Sequence, residues 1–168
     1  MSKLKNIGIW FIVYSFIGWI YETALVSIIE GHFVNRGFLF IPLIPIYGIG
    51  AVLIILIFYK RVHNTTKLFF LTSILITVLE YGVAWLLETL FNQRWWDYSY
   101  YMFHIHGRVS LIGVIIFALM ALLLIKYIHP RVEQRLAIIS PRVKLSFVGL
   151  VTTMIVVDLA HTVSYLIA

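Results

Sequence analysis

The stretch LFFLTSILITVLEYGVAWLLETLF, residues 68–91, decides the fold of this chain, and only Glu80 and Glu88 are charged within it. As a helix rising 1.5 Å per residue it would be about 36 Å long, whereas the hydrocarbon core of a bilayer is about 30 Å thick. We therefore expect residues 68–91 to form a membrane-spanning helix.

Other stretches of the chain have the same length and apolar character, so that about five transmembrane helices are predicted. The other four lie at about residues 7–29, 42–60, 109–128 and 144–167. Main-chain polar groups in lipid must be satisfied internally, and continuous apolar runs do this as helices, whereas a barrel needs short segments of alternating hydrophobicity. The predicted fold class is all-α, a polytopic membrane helix bundle that forms a single transmembrane domain over residues 1–168.

The composition excludes a soluble globular fold. The chain is 62% hydrophobic and 12% charged, whereas soluble domains are about 45–50% apolar and about 25% charged. Because the chain contains no cysteine, disulfides, thiolate chemistry and cysteine-ligated metal centres are excluded. The net charge of +6 is not spread over a solvated basic face, so the predicted partner is the lipid bilayer and not a nucleic acid.

The basic residues of the connecting segments predict the orientation of the bundle. One side carries Lys3, Lys5, Lys60, Arg61, Lys67, Lys126, Arg131, Arg135, Arg142 and Lys144. The other side carries Arg36, Arg94 and Arg108. The positive-inside rule therefore places the N-terminus in the cytoplasm and the C-terminus outside. A short interfacial helix around Val132 and Leu136 is predicted in the last cytoplasmic loop.

Acidic residues inside the predicted spans are costly, and each requires a partner or a function. Glu80 lies near the centre of the third span, while Glu22, Asp158 and His161 lie somewhat nearer the outer end of their own spans. Asp158 and His161 are three residues apart and share a helix face. A polar pocket that opens outward is the predicted consequence.

The predicted outer loops and helix starts carry further candidate residues. The second and fourth spans begin on the outer side, so the free N–H groups of their N-termini lie beside Arg36 and Arg108 and favour anions. Pro42 and Pro45 weaken the start of the second span, as in the discontinuous helices of transporters.

A short internal sequence repeat relates the first and third spans. WIYET at residues 19–23 corresponds to WLLET at residues 85–89, and an outer loop containing Arg and Gly follows each of them. This repeat would be explained by a parallel duplication of a two-helix unit, in which spans one and two correspond to spans three and four.

Five motifs occur in order over about residues 11–115. They are GWIYE (18–22), NRGFL (35–39), PIYG (45–48) with Gly50, LE (87–88) followed by Phe91 and Asn92, and WWDYS (95–99) with Gly107 and Arg108. By these motifs the chain resembles the CmpB-like ABC-transporter type IV permeases, which are bacterial integral membrane proteins. The resemblance implies a multi-pass protein of the bacterial inner membrane with a role in transport.

The first predicted function is that of a small permease whose outward-facing pocket binds an unidentified solute. The residues predicted for solute binding or a proton relay are Glu22, Arg36, Glu80, Glu88, Trp96, Asp97, Arg108, Asp158 and His161. No phosphate-binding loop of the form Gly-x-x-x-x-Gly-Lys-Ser/Thr occurs, so that ATP use would require a separate ATPase subunit. Five short spans also imply a homo-oligomer or a partner chain.

The alternative is a membrane-embedded enzyme that acts on a lipid-linked or phosphate-bearing substrate at the outer leaflet. Carboxylates near His104, His106 and His161 would supply general acid–base chemistry or hold a divalent metal. No nucleophile elbow or His-Glu-x-x-His motif is present, so the sequence assigns no catalytic residue. Transport ranks first because the family resemblance and the acidic residues inside the spans favour it. A structural subunit, in which the acids only pair with basic residues, is the third alternative.

Overall fold

The computed structural model describes the main chain of residues 2–167 and the side chains of residues 6–164. Its helices are α1 (Ser2–Glu30), α2 (Pro45–Phe58), α3 (Thr65–Phe91), α4 (Leu111–Leu123), α5 (His129–Ala137) and α6 (Pro141–Ile167). Strands β1 (His104–Ile105) and β2 (Val109–Ser110) form a small antiparallel hairpin before α4. Because helices make up nearly all the regular structure of the described residues, the predicted all-α class is confirmed.

In the part of the chain that the structure describes, four helical stretches are long and apolar enough to cross a membrane: Asn6–Glu30, Thr65–Phe91, Leu111–Ala137 and Pro141–Ser164. Helix α2 is equally apolar but has only 14 residues, or about 21 Å against about 30 Å of hydrocarbon. It begins three residues later than the predicted span because a residue that precedes proline, here Ile44, disfavours the helical conformation. Pro45 itself suits the first helical position, where its missing N–H is not needed.

Helix α4 continues into α5 through a π-helical turn at Leu124–Ile128, in which the His129 N–H donates to the Leu124 carbonyl oxygen. In a regular α-helix, Pro130 would crowd the carbonyl of Lys126 and leave it without a donor. A π turn is a common way to accommodate such a defect without ending the helix. The segment predicted as an interfacial helix is therefore α5, which continues the preceding spanning helix without a break.

Side-chain caps mark the starts of α3 and α4, and a left-handed residue follows the end of α3. Asn64 Oδ1 accepts the Lys67 N–H at 2.9 Å at the start of α3, and Ser110 Oγ accepts the Gly113 N–H at 3.1 Å at the start of α4. Helix α3 ends at Phe91, and the left-handed φ of 52° at the following Asn92 turns the chain out of the helix. These caps satisfy main-chain groups that would otherwise lack partners at the helix ends.

The chain forms two compact units, of which the first comprises Met1–Val52 and Gln134–Ala168 and the second comprises Leu53–Glu133. In the first unit α1 and α6 pack side by side and run in the same direction. Lys144 Nζ donates to Asn6 Oδ1 at 3.2 Å, and Gly8 lies against the side chain of Val148.

In the second unit α3 packs against α4. The buried face of α3 recurs every fourth residue and consists of Leu68, Thr72, Ile76, Glu80 and Ala84. The small residues Ala118 and Ala121 are buried on α4. Because small side chains let two helix backbones approach closely, they suit a helix pair inside a membrane.

Candidate functional site

Residues 31–44, which we call the re-entrant segment, leave the end of α1 and return alongside it without forming a helix. Three main-chain N–H groups show the path: Val34 donates to Ser27 Oγ at 2.9 Å, Arg36 to Thr23 Oγ1 at 3.3 Å and Ile44 to the Ser15 carbonyl oxygen at 3.1 Å. Their partners thus step back along α1 from residue 27 to residue 15. The return from Glu30 to Ser15 covers about 22 Å of helix, so the segment reaches the middle of the predicted span.

Asp158 of α6 binds the main chain of the re-entrant segment at Phe40 and Ile41. Its Oδ1 accepts the Phe40 N–H at 3.2 Å and its Oδ2 accepts the Ile41 N–H at 2.8 Å. The Thr162 hydroxyl donates to Oδ1 at 3.4 Å, and the His161 ring lies edge-on to the Phe40 ring at 5.3 Å. Asp158 is only 8% exposed. A buried carboxylate therefore satisfies two main-chain amides that have left regular secondary structure.

Glu22 lies at the centre of a second set of contacts in the same unit. The Tyr47 hydroxyl donates to Glu22 Oε1 at 2.5 Å, and Arg36 Nε lies 3.8 Å from Glu22 Oε2. Tyr47 belongs to the first turn of α2, and its ring packs directly over Gly18. Glu22 therefore links α1, the re-entrant segment and the start of α2.

In the second unit, Glu88 is the centre of an ion-pair network. Arg108 donates to Glu88 Oε2 from Nη2 at 2.6 Å and from Nε at 3.1 Å, and Arg94 Nε lies 3.1 Å from Glu88 Oε1. Arg108 Nη1 also donates to the Tyr81 hydroxyl at 3.0 Å, and His106 Nδ1 lies 3.0 Å from the same hydroxyl. Glu88 near the end of α3 thereby holds the loop that leads into α4.

Asp97 and Trp96 belong to the same loop and organise its tip. Asp97 Oδ1 accepts the Ser99 hydroxyl at 2.6 Å and the Ser99 N–H at 2.9 Å, and the Trp96 indole N–H donates to the Arg108 carbonyl oxygen at 2.9 Å. The hydrogen bonds from Ser99, reinforced by the charge of Arg94, hold the pKa of Asp97 below its ordinary value. A low pKa favours the ionised carboxylate of Asp97, which suits its 3.6 Å contact with Arg94 Nη1.

Glu80 lies on the buried face of α3 and is only 6% exposed. It precedes Glu88 by eight residues, which corresponds to about 12 Å along the helix. The opposite face of the helix, with Phe70, Ile74 and Val78, is exposed and apolar. An acid that turns away from lipid in this way is of the kind that marks a pathway or a site in membrane proteins.

The structure brings the nine predicted residues into two groups. Glu22, Arg36, Asp158 and His161 contact or adjoin the re-entrant segment, while Glu88, Trp96, Asp97 and Arg108 form one loop network, with Glu80 deeper on α3. Sequence reasoning did not select Tyr47, Tyr81 and Arg94 for the site. Tyr81 lies two turns before Glu88 on the same helix face, a spacing that could have indicated it.

Among the described residues, no group of three or more His, Asp and Glu side chains is arranged to hold a metal ion. Two of the three histidines named for the enzyme alternative make contacts within or to the loop that precedes α4. His104 Nδ1 accepts the Gly107 N–H at 3.0 Å, and His106 contacts Tyr81. Gly107 has a φ of 72°, which glycine adopts without strain.

The fold is that of a multi-pass α-helical membrane protein. It has long apolar helices, buried acidic residues and a non-helical segment that returns alongside α1. The sequence profile of one family, described as Putative ABC-transporter type IV, matches residues 9–163. The chain belongs to this family, as its motifs indicated. No curated protein and no solved structure matches the chain.

Proposed function

We propose that this protein is the membrane-spanning permease of a transporter and that its solute passes along the re-entrant segment of the first unit. The observation that carries the proposal is a stretch of non-helical main chain at mid-span depth, held by the intramembrane carboxylate of Asp158. Irregular main chain is tolerated at that depth where it is buried in protein or lines a water-filled cavity. In transporters, interrupted helices of this kind mark the substrate site.

Helix α2 adds to this support because it begins at the depth of Ser15. Its N-terminal dipole end therefore lies inside the span, where it would favour an anionic or polar group. The Ser15 hydroxyl is fully buried and has no hydrogen-bond partner among the described residues. We assign Glu22, Arg36, Asp158 and His161 to solute binding along this segment.

A cysteine at Ile44 should react with a small, charged methanethiosulfonate reagent in proteoliposomes, because a solute path must admit water in at least one state. The chain contains no cysteine, so the introduced thiol is the only one that can react. The matched control is Val78→Cys, which lies in the middle of α3 and faces lipid. If Ile44→Cys is as unreactive as Val78→Cys, the proposed path is wrong.

We further assign Glu80 and Glu88, with Trp96, Asp97 and Arg108, to a charge or proton relay in the second unit. Burial of Glu80 and its alignment with Glu88 on one helix face support this assignment. Under the predicted orientation, Glu88 and its loop face outward. A proton would then move between the outer loop and the middle of the span.

The relay predicts that Glu80→Gln lowers proton flux. Wild-type protein in phosphatidylethanolamine/phosphatidylglycerol vesicles that enclose a pH-sensitive dye should equilibrate a pH step faster than protein-free vesicles. We expect Glu80→Gln to slow the protein-dependent rate by at least about tenfold, since a positioned proton-transfer group typically contributes about 10²–10⁴-fold. Glu30→Gln, at the exposed end of α1, is the control and should match wild type. Equal rates for Glu80→Gln and wild type would contradict the relay.

The transporter would be completed by further chains. The family is described as Putative ABC-transporter type IV, and this sequence contains no phosphate-binding loop, so that a separate ATPase subunit would have to supply ATP hydrolysis. Almost all of α6 lies on the surface of the described structure, which supports a homo-oligomer in the bacterial inner membrane.

A further inference from the structure

We propose that the cavity between α1 and α6 binds one acyl chain of an anionic phospholipid, whose phosphate lies at Lys144. The cavity has a volume of about 280 Å³ and lies next to residues 41–43 of the re-entrant segment. Every residue that lines it is apolar, including Val13 of α1 and Val151 of α6. This site belongs to neither polar group described above.

The chemistry of the cavity favours a hydrocarbon occupant. Apolar cavities of about 150 Å³ stay dry and bind small apolar molecules, so that a polar solute would lose its hydration here without gaining a partner. Three lining side chains, Phe16, Phe147 and Met154, are 43%, 45% and 47% exposed. The cavity therefore opens sideways, and both helices that flank it are candidate membrane spans. An acyl chain can enter directly from the bilayer.

The charges at the two ends of the cavity decide which lipid fits. Lys144 lies near the start of α6, three residues before Phe147 and on the same helix face as Phe147 and Val151. At the opposite end, Asp158 follows Met154 by four residues and would repel an anion. A phosphate beside Lys144 would leave its acyl chain to run past Phe147 to Met154, over about 15 Å of helix. The basic end therefore selects an anionic headgroup.

Photolabelling of the wild-type protein tests the site without any substitution. The probe is phosphatidylglycerol with a diazirine in the middle of one acyl chain, incorporated into phosphatidylcholine vesicles that contain the protein. We expect the label on peptides that contain the lining residues Phe16 and Met154. Label spread evenly over the exposed residues of α6, such as Leu150 and Val157, would overturn the proposal.

Binding stoichiometry tests the fit of the cavity. Native mass spectrometry of protein released from phosphatidylglycerol-containing nanodiscs should show one retained phosphatidylglycerol. Val151→Phe fills the cavity and should weaken retention by about tenfold, equivalent to 1.4 kcal/mol. Leu150→Phe, on the exposed side of the same helix, is the matched control and should retain the lipid. Equal retention by Val151→Phe and wild type, or equal loss in both variants, would overturn the proposal.

Two further measurements test the selection of the lipid headgroup and the alternative that a second protein chain occupies the cavity. Lys144→Gln should remove the preference for phosphatidylglycerol over phosphatidylcholine while leaving acyl-chain labelling in place. An unchanged preference would overturn the assignment of the phosphate to Lys144. A photoproduct that joins two protein chains through Met154→Cys carrying a benzophenone would show that a second copy occupies the cavity instead. Solute transport is not required for any of these readouts.

Discussion

Gly48→Ala is expected to lower the free energy of unfolding of the purified protein by about 2–3 kcal/mol, as overpacking of a tight contact does. A Cβ atom on Gly48 would lie 2.6 Å from the main-chain carbonyl oxygen of Phe11 and would also collide with Ser15 Oγ. Because Phe11 O is part of the α1 backbone, it cannot rotate away. Helix α2 would therefore have to move off α1, which denaturant unfolding in detergent should detect through tryptophan fluorescence.

The same substitution at Gly82 or Gly149 provides a matched control. Nothing lies within 4 Å of a Cβ atom at either position, and alanine is more favourable than glycine in a helix by about 0.5–1 kcal/mol. Gly82→Ala and Gly149→Ala should therefore leave the protein as stable as wild type or more so. If Gly48→Ala behaves like these controls, α2 does not cross α1 closely at Gly48.

The helices could be predicted because their signals are local. Residues 68–91 form an apolar stretch long enough to cross the hydrocarbon core of a bilayer, and the helix ends at the last residue of that stretch, Phe91. The length of α2 was predicted less well because two prolines interrupt the helix within a continuous apolar stretch. Pro42 and Pro45 marked the interruption, but hydropathy alone extended the span across it.

The path of the re-entrant segment could not be predicted, since its hydrogen bonds join residues far apart in sequence. Asp158 is 118 and 117 residues away from the two amides that it binds. Its position inside a span indicated only that it needed a partner. The partner was main-chain N–H rather than a basic side chain, and no pattern of side chains reveals that.

The sequence repeat of WIYET and WLLET corresponds to a similar set of glutamate contacts in each unit. Glu22 in the first motif lies near Arg36 of the following loop and accepts a tyrosine hydroxyl from Tyr47. Glu88 in the second motif binds Arg108 of its own following loop. In both units a glutamate in the C-terminal half of a helix thus contacts the segment that leads into the next helix. A duplicated two-helix unit would have this arrangement.

Asp158→Leu is expected to release the re-entrant segment. The substitution leaves the N–H groups of Phe40 and Ile41 without an acceptor, and each buried unsatisfied group costs about 1–3 kcal/mol, with more expected where no water can replace the carboxylate. The readout is the rate at which a maleimide modifies Leu39→Cys, which is a buried position in a chain without other cysteines. We expect the rate to rise by at least about tenfold, since 1.4 kcal/mol of local opening corresponds to that factor.

Asp158→Asn separates the loss of hydrogen bonds from the loss of an acidic group. The amide keeps one oxygen as an acceptor but presents an NH₂ group to the second main-chain N–H, so its effect on the maleimide rate should lie between those of wild type and Asp158→Leu. Glu30→Gln removes another acidic group of the first unit, one that is exposed at the end of α1, and should leave the rate unchanged. If Leu39→Cys is modified at the same rate in all four backgrounds, Asp158 does not hold the re-entrant segment, and the solute path proposed along it loses its principal support.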